Sequence, residues 1–240
     1  MWAEFHAHTN HSDGKLSMKE LVDFFGGRGF GVLAVTDHLC EEKTILGKAA
    51  AYLNKTLRRE SFSKYIDEIK EESERAWKLY QMLLIPGFEI TKNSLQNHRS
   101  AHMLALGVEK FIAADLDPIE ISKEVRNEGG LFIAAHPLSL NTIRGRKNFL
   151  WDQKEELEPY FDAWEITDSG QILKEVAQSS LPKLATGDFH REAHLNSWKT
   201  WLDCERHPLA ILDAIRKQKV TFKYFAKTSI PGPLSQFRAA

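Results

Sequence analysis

Residues 1–14 read MWAEFHAHTNHSDG, an apolar start that leads at once into three histidines and an aspartate. Side chains alternate between the two faces of an extended strand, so His6 and His8 point in the same direction. Two imidazoles that converge on one point suit a transition metal and contribute little to an apolar core. For such a pair alone, two exposed or hydrogen-bonded strand histidines are the commoner explanation, so the rest of the chain has to separate the two interpretations.

Outward from this stretch, short apolar runs alternate with amphipathic helical patterns. LSMKELVDFFGGRG (residues 16–29) predicts a helix with a capping box of Ser17 and Glu20 and glycines at its end. Further strands are predicted in FGVLAVTDH, LLIPGFEIT, AHMLALG, GLFIAAH, FDAWEIT and PKLATGDFH, and further helices near residues 118–128, 152–158, 170–179 and 207–218. The alternation predicts an α/β fold with a parallel sheet, and about seven strands in 240 residues favour a closed barrel over an open sheet.

Residues 39–82 interrupt this rhythm, because they are mostly helical in pattern and far longer than one crossover needs. We interpret them as a helical insertion after the second strand that packs on the barrel; a lid over the substrate is the alternative. Residues 1–226 are predicted to form a single domain, followed by a C-terminal tail at 227–240.

Composition excludes several classes of protein. The net charge is −1, so no overall basic field attracts the chain to nucleic acid. No apolar run approaches the ~20 residues of a membrane span. The first residues show no secretory signal, and two cysteines are too few for a disulfide framework. These features predict a cytoplasmic protein with no membrane partner and no extended nucleic-acid surface.

Histidines and carboxylates that could bind metal lie at or near the ends of the predicted strands. In chain order these are His6, His8, Asp13, His38, Glu89, His102, His136, Asp188 and His190. The carboxyl ends of barrel strands gather at one rim, so these groups are expected to meet there, although His102 lies early in its predicted strand. Burying them together without cations would be costly, whereas divalent metals turn them into ligands. The set is too large for one tetrahedral ion and predicts two or three ions that share ligands.

The motifs FHAHT, HSDG, AVTDH, PGFEIT, AHMLALG, AAHP and GDFH, in this order, resemble the PHP (polymerase and histidinol phosphatase) family. The resemblance covers residues 4 to about 225 and implies a distorted (β/α)7 barrel that acts as a metal-dependent phosphoesterase with up to three ions. It implies that Glu89 bridges two ions, that His102 and His136 hold one of them, and that Asp188 joins His6 and His8. It further implies a third site formed by Asp13, His38 and His190.

Two bridged ions would activate a water molecule as hydroxide and hold the attacking and leaving oxygens of a displacement at phosphorus. We predict Glu89, Asp188 and His190 as catalytic residues, with the proton shuttled by Asp188 or by a water molecule. The phosphate oxygens require cationic partners, and the candidates near the rim are Arg191, Arg99, Lys92 and Arg144.

The predicted substrate is a small phosphorylated molecule: a monoester, a nucleotide or the end of a short oligonucleotide. Imidazole-rich ligands favour zinc, manganese or iron over magnesium or calcium. Two alternatives stay open, an amidohydrolase-type binuclear hydrolase and a non-catalytic metal-binding accessory domain. The sequence leaves the oligomeric state open.

Overall fold

The computed structural model describes residues 1–92, 100–138 and 149–226. The strands are β1 (Trp2–Glu4), β2 (Phe30–Ala34), β3 (His38–Cys40), β4 (Leu83–Ile85), β5 (Gly87–Lys92), β6 (Ala101–Leu106), β7 (Leu131–Ala135), β8 (Ala163–Glu165), β9 (Thr167–Asp168), β10 (Gln171–Ile172), β11 (Lys183–Leu184), β12 (Ser197–Leu202) and β13 (Val220–Phe225). The α-helices are α1 (Met18–Gly26), α2 (Ile45–Tyr52), α3 (Arg59–Tyr80), α4 (Pro118–Asn127), α5 (Phe149–Asp152), α6 (Lys154–Leu157), α7 (Lys174–Ala177) and α8 (Pro208–Arg216). Short 3-10 helices span Glu158–Tyr160 and Glu192–Leu195.

Two main sheets organise the described part of the chain. One has the strand order β13-β12-β1-β2-β4 and the other β11-β8-β7-β6-β5-β3, with β9 and β10 forming a separate hairpin. The predicted mixed α/β class with parallel pairing is confirmed, since β1, β2 and β4 run parallel, as do β7, β8 and β11. A closed barrel is not shown, because neither sheet closes on itself within the described residues.

The sheets also contain antiparallel pairs. Strand β6 runs antiparallel to both of its neighbours, β5 and β7, and β12 runs antiparallel to β1 and β13. For β5 and β6 the connection explains the direction. No helix stands between β5 and β6 within the described residues, and a parallel pair would need a long crossover between its strands.

Helix α1 forms as predicted. The Ser17 side chain accepts from the Glu20 backbone N–H while the Glu20 carboxylate accepts from the Ser17 backbone N–H, and Gly27 closes the helix. The predicted 170–179 helix is wrong over its first half. Ser169 and Gly170 adopt positive φ and turn the chain between β9 and β10, so the helix there is the short α7.

Helices α2 and α3 occupy the predicted insertion, and α3 contacts α1. Within the described residues no helix combines the length and apolar character needed to cross a lipid bilayer. The C-terminal tail at 227–240 lies outside the described residues.

Both faces of the central strands are buried. Along β7, Leu131, Ile133 and Ala135 join one apolar cluster, while Phe132 and Ala134 join another on the opposite face. This explains the uninterrupted apolar runs in the sequence, because a strand covered on both sides has no solvated face to alternate with. A charged side chain on such a strand therefore requires a partner.

Candidate metal centre

The chain that follows β1 brings His6 and His8 to the point where the two sheets meet. Ala7 forms a parallel bridge with Phe189, in which the His8 N–H donates to the Phe189 carbonyl at 2.8 Å and the Phe189 N–H donates to the His6 carbonyl at 2.9 Å. On the other side the Thr36 N–H donates to the Ala7 carbonyl at 2.8 Å. Held from both sides, the two imidazoles are fully buried.

Glu89 forms the floor of the centre. It lies on β5, and its carboxylate is fully buried among imidazoles. The distances to its oxygens are 2.6 Å from His38 Nδ1, 2.8 Å from His102 Nδ1, 3.3 Å from His136 Nε2, 3.4 Å from His6 Nε2 and 3.6 Å from His8 Nε2. One carboxylate therefore lies close to five histidines that come from four separate segments of the chain.

His102 reaches the centre because β6 is antiparallel. Its neighbours β5 and β7 end where β6 begins, so a residue at the start of β6 lies at the same rim as the ends of the other strands. In the register, His102 is paired with Thr91 on β5 and with Ala135 on β7, directly before His136. The early position of His102 in its strand is thus compatible with the predicted rim.

Asp13, Asp188 and His190 form the open side of the centre. Asp188 Oδ1 lies 3.3 Å from His6 Nε2 and 3.4 Å from His8 Nε2, and its side chain is 43% exposed. Asp13 Oδ1 lies 3.1 Å from His190 Nε2 and 3.6 Å from His38 Nε2. All nine side chains predicted from the sequence are therefore brought together, with buried groups below and half-exposed groups above.

Backbone conformation fixes two of these residues in place. His136 has φ of 25° and Asp188 has φ of 44°, both in the left-handed region that residues with a side chain rarely adopt. Such strained positions persist only where the surroundings determine them, and they cluster at functional sites.

The donor set fits divalent cations. Among the described residues, the buried side-chain polar atoms without a hydrogen-bond partner are His6 Nε2, His8 Nε2, Asp13 Oδ1, Glu89 Oε2 and Arg28 Nε. The first four lie at this centre, where unpaired buried polar atoms are costly unless an ion satisfies them. Potential ligand atoms within 4.8 Å of one another form four overlapping groups: His8, Asp13, His38 and His190; His6, His8 and Glu89; His38, Glu89 and His102; and His6, His136 and Glu165.

The close packing of these groups perturbs their titration. Burial alone would raise the pKa of Glu89, but the surrounding His38, His102 and His6 outweigh it and hold the pKa well below its usual range. Burial also opposes protonation of His136, yet its contact with Glu89 and the nearby carboxylates raise its pKa to about 9. His8, buried and beside His38, has its pKa lowered to about 3.

Sequence reasoning missed Glu165, which is almost fully buried at the end of β8. Its carboxylate accepts from His6 Nδ1 at 3.0 Å, from the His136 backbone N–H at 2.6 Å and from the Thr186 hydroxyl. The bond to Nδ1 directs His6 Nε2 into the centre, the arrangement by which carboxylates orient metal-binding histidines. An acidic residue inside the otherwise apolar run AWEI (residues 163–166) was the available signal.

Asp37 was also missed, although it directly precedes His38. Fully buried, it accepts from the Thr9 N–H at 2.8 Å, the Thr9 hydroxyl at 2.7 Å and the Ser12 hydroxyl at 2.6 Å. These bonds fix the loop between His8 and Asp13. The spacing of residues in the sequence does not distinguish a metal ligand such as His38 from an adjacent residue, such as Asp37, that holds the loop in place.

The predicted phosphate-binding residues are only partly described. Lys92 is buried, and its ammonium donates to Glu41 at 3.1 Å and to the Ala114 carbonyl at 2.6 Å. Arg191 donates through Nε to His194 Nε2 at 3.1 Å. Arg99 and Arg144 lie outside the described residues, and the role of all four stays a prediction.

No protein-family model and no curated protein matches this sequence. Solved structures do match its fold. A two-domain protein from Bacteroides vulgatus that contains a predicted PHP-like metal-dependent phosphoesterase matches 93% of the chain at a TM-score of 0.69 and 17% identity; the chain spans 64% of that protein. PsfC from Pseudomonas syringae matches 94% of the chain and 92% of its own length at a TM-score of 0.60 and 14% identity.

A predicted metal-dependent phosphoesterase from Bifidobacterium adolescentis matches 79% of the chain, and the chain covers 88% of it, at a TM-score of 0.52 and 16% identity. At identities this low, the structural matches establish the fold alone. The resemblance to the PHP family inferred from the motifs is thereby confirmed at the level of the fold.

Proposed function

We propose that the protein is a metal-dependent phosphoesterase that hydrolyses phosphate esters of small molecules. The observation that carries the proposal is the convergence of six histidines and three carboxylates, the buried Glu89 among them, at one centre. Four buried polar atoms at this centre have no hydrogen-bond partner among the described residues. Divalent ions bound there would supply a nucleophilic hydroxide at neutral pH and stabilise negative charge on the phosphoryl group.

The residues of the chain divide between two tasks. Glu89, His6 and His8 are fully buried and form the rigid, buried side of the centre, which a preorganised site requires. Asp188 and His190 stand at the open side, where a substrate enters. We therefore assign to Asp188 the exchange of a proton with the leaving alcohol, since its carboxylate is both exposed and adjacent to the floor.

The surrounding architecture supports this proposal. Backbone hydrogen bonds from residues 6–8 reach Phe189 in one direction and Thr36 in the other, so the first segment links the ends of the two sheets. We infer that the strands follow the distorted (β/α)7 barrel expected from the motifs. Zinc, manganese and iron remain the proposed ions, and two or three of them the proposed number.

Activity of purified protein loaded separately with zinc or manganese tests the proposal. We expect hydrolysis of p-nitrophenyl phosphate and no hydrolysis of an amide or lactone. Glu89→Gln should lower kcat/KM by at least about 100-fold, because it removes the charge that the surrounding imidazoles require. Glu156→Gln on the exposed face of α6 is the matched control and should leave activity unchanged.

Other outcomes would contradict the proposal in distinct ways. Lactone or amide hydrolysis without phosphatase activity would identify an amidohydrolase-type enzyme. Tight binding of two ions without turnover of any ester would identify a metal-binding accessory domain. Fewer than two bound ions per chain would remove the metal centre itself.

A further inference from the structure

A buried ion pair adjoins the metal centre. The Glu4 carboxylate, at the end of β1, accepts from the Lys199 ammonium on β12, and both side chains are fully buried. The pair continues the antiparallel register of β1 and β12, one position beyond Ala3 and Thr200. A buried ion pair contributes little net stability, because the loss of hydration offsets most of the attraction between the charges. The other contacts of the carboxylate point to a second role.

The Glu4 carboxylate also binds the backbone of two segments that carry candidate ligands. It accepts from the His6 N–H at 3.2 Å and from the Gly187 N–H at 3.0 Å. His6 is itself a candidate ligand, and Gly187 directly precedes Asp188, which is another. One carboxylate thus joins the first candidate ligand of the chain to the distant segment that carries Asp188.

Asp188 is held on both sides by this arrangement. On one side the Gly187 N–H donates to Glu4, and on the other the Phe189 N–H donates to the His6 carbonyl at 2.9 Å. Between these two bonds Asp188 adopts a φ of 44°, a conformation that persists only where neighbouring contacts determine it. The same bonds keep its backbone at the position from which Oδ1 lies 3.3 Å from His6 Nε2.

The absence of a side chain on Gly187 allows the ion pair to approach this backbone closely. A Cβ at residue 187 would clash with Lys199 Nζ and would lie 2.8 Å from Glu4 Oε2 and 3.1 Å from the Ser197 hydroxyl. A larger residue would therefore displace the ion pair from the backbone that it holds. We call the three residues Glu4, Gly187 and Lys199 the Glu4 clamp.

We propose that Glu4 and Lys199 are positioning residues, and that the Glu4 clamp sets where Asp188 stands relative to His6 and thereby the affinity of the centre for divalent metal. The Lys199 ammonium orients the carboxylate, and the carboxylate holds the two backbone segments at a fixed separation. Loss of a group that orients metal ligands lowers metal affinity by about 10- to 100-fold. The inference rests on the proposed metal centre and adds to it two residues that themselves belong to no ligand group.

Two double variants test the clamp, because both remove the ion pair and they differ in one acceptor oxygen. In Glu4→Gln/Lys199→Met the amide oxygen can still accept from the two backbone N–H groups. In Glu4→Leu/Lys199→Met the side chain offers them no acceptor. Competition with a chromophoric chelator should show a zinc affinity within about threefold of the parent protein for the first variant and at least about tenfold lower for the second.

Ile215→Ala separates positioning from a general loss of stability. Ile215 is fully buried on α8, and its truncation leaves a cavity that destabilises the fold. The neighbouring Arg216 donates to the Gly130 carbonyl, at the end of β7 opposite to His136, so this part of α8 lies away from the metal centre. Urea denaturation should show the lower stability of this variant, while its zinc affinity should equal that of the parent protein.

A single substitution provides a second arm should a double variant fail to fold. Gly187→Ala keeps the ion pair but places a methyl group against Lys199 Nζ, so zinc affinity should fall by at least about tenfold. Gly31→Ala on β2 is the matched control, because its Cβ would likewise meet a flexible side chain, that of Met1 at 2.9 Å. This control should retain the zinc affinity of the parent protein.

The outcomes separate the clamp from the proposed function. Equal zinc affinities of the two double variants, or an unchanged affinity of Gly187→Ala, would overturn the inference and leave the phosphoesterase intact. A loss in Ile215→Ala as large as that in Glu4→Leu/Lys199→Met would do the same, since it would trace the effect to stability. Zinc affinities in the expected order, in a protein that hydrolyses no ester, would support the clamp and overturn the proposed function.

Discussion

The carboxylate of Glu165 shows how a residue outside the predicted ligand set shapes the centre. Three donors face it, namely His6 Nδ1, the His136 N–H and the Thr186 hydroxyl. It thereby fixes which nitrogen of His6 points into the centre. A ligand and the group that orients it are equally buried, so burial alone does not distinguish them.

Glu165→Gln is predicted to weaken metal binding by about 10- to 100-fold. The amide NH2 would face donors on every side, so His6 would lose the bond that orients it. Metal affinity measured by competition with a chromophoric chelator checks this, with Glu156→Gln as the exposed control. An affinity equal to that of the parent protein would show that His6 needs no orienting carboxylate.

Metal binding is predicted to release protons at neutral pH. In the metal-free protein the pKa values of His136 and His190 are each raised to about 9, with the contact to Glu89 favouring protonation of the first and the contact to Asp13 that of the second. Both imidazolium ions must lose a proton before they can bind a cation, so apparent affinity should rise with pH up to about 9 and then level off. Calorimetric titrations in buffers of different ionisation enthalpy measure the protons released; a binding heat independent of the buffer would contradict the prediction.

At the scale of elements, the sequence predicted which segments form strands better than it predicted whether neighbouring strands pair in parallel or antiparallel. The apolar run AHMLALG was correctly assigned as a strand, but apolar content is the same for parallel and antiparallel strands that are covered on both faces. The direction in which two strands pair depends on the segment that connects them. The sequence gives the length of this segment but not the path it takes. His102 therefore seemed misplaced until its strand was seen to run the other way.

Strands β12 and β13 were not predicted. Their residues mix charged, aromatic and β-branched types, and β13 lies at a sheet edge with several exposed positions. Lys199 is the extreme case, since a lysine in a strand pattern normally indicates a solvated face, whereas here it is fully buried against Glu4. Only the tertiary partner explains it.

Lys199→Met is predicted to lower the free energy of unfolding by about 3–5 kcal/mol. The substitution leaves the buried Glu4 carboxylate without its ion-pair partner, although the Phe5, His6 and Gly187 N–H groups still donate to it. Urea denaturation monitored by circular dichroism measures the loss. Lys219→Met, at an exposed position, is the control and should change stability by less than about 0.5 kcal/mol; equal effects of both substitutions would show that the pair contributes nothing.

At the scale of the whole molecule, the candidate centre was the part most open to sequence reasoning. Each of the nine predicted polar residues is unusual within or beside an apolar run. All nine are explained together by their meeting at one centre. The surroundings were less accessible, because the first residues of the predicted 170–179 helix form part of a turn and strand β10 instead.

Removal of metal is predicted to destabilise the entire fold. The centre joins segments from both sheets, so an ion bound there stabilises the native state by about 2.7 kcal/mol at a free concentration 100 times its Kd. Thermal denaturation with and without a chelator should show a higher Tm for the loaded protein, by about 2–4 °C for each kcal/mol. The same comparison on Glu89→Gln should show a much smaller difference, and an unchanged Tm in the parent protein would contradict the prediction.

The span of the ligand set has a consequence for biosynthesis. The candidate ligands begin at His6 and end at His190, and the bridge between Ala7 and Phe189 joins the first segment to one of the last. A ribosome must therefore synthesise every residue from 6 to 190 before the full coordination sphere can exist. Cellular metal could occupy the complete set of ligands only after translation has passed His190.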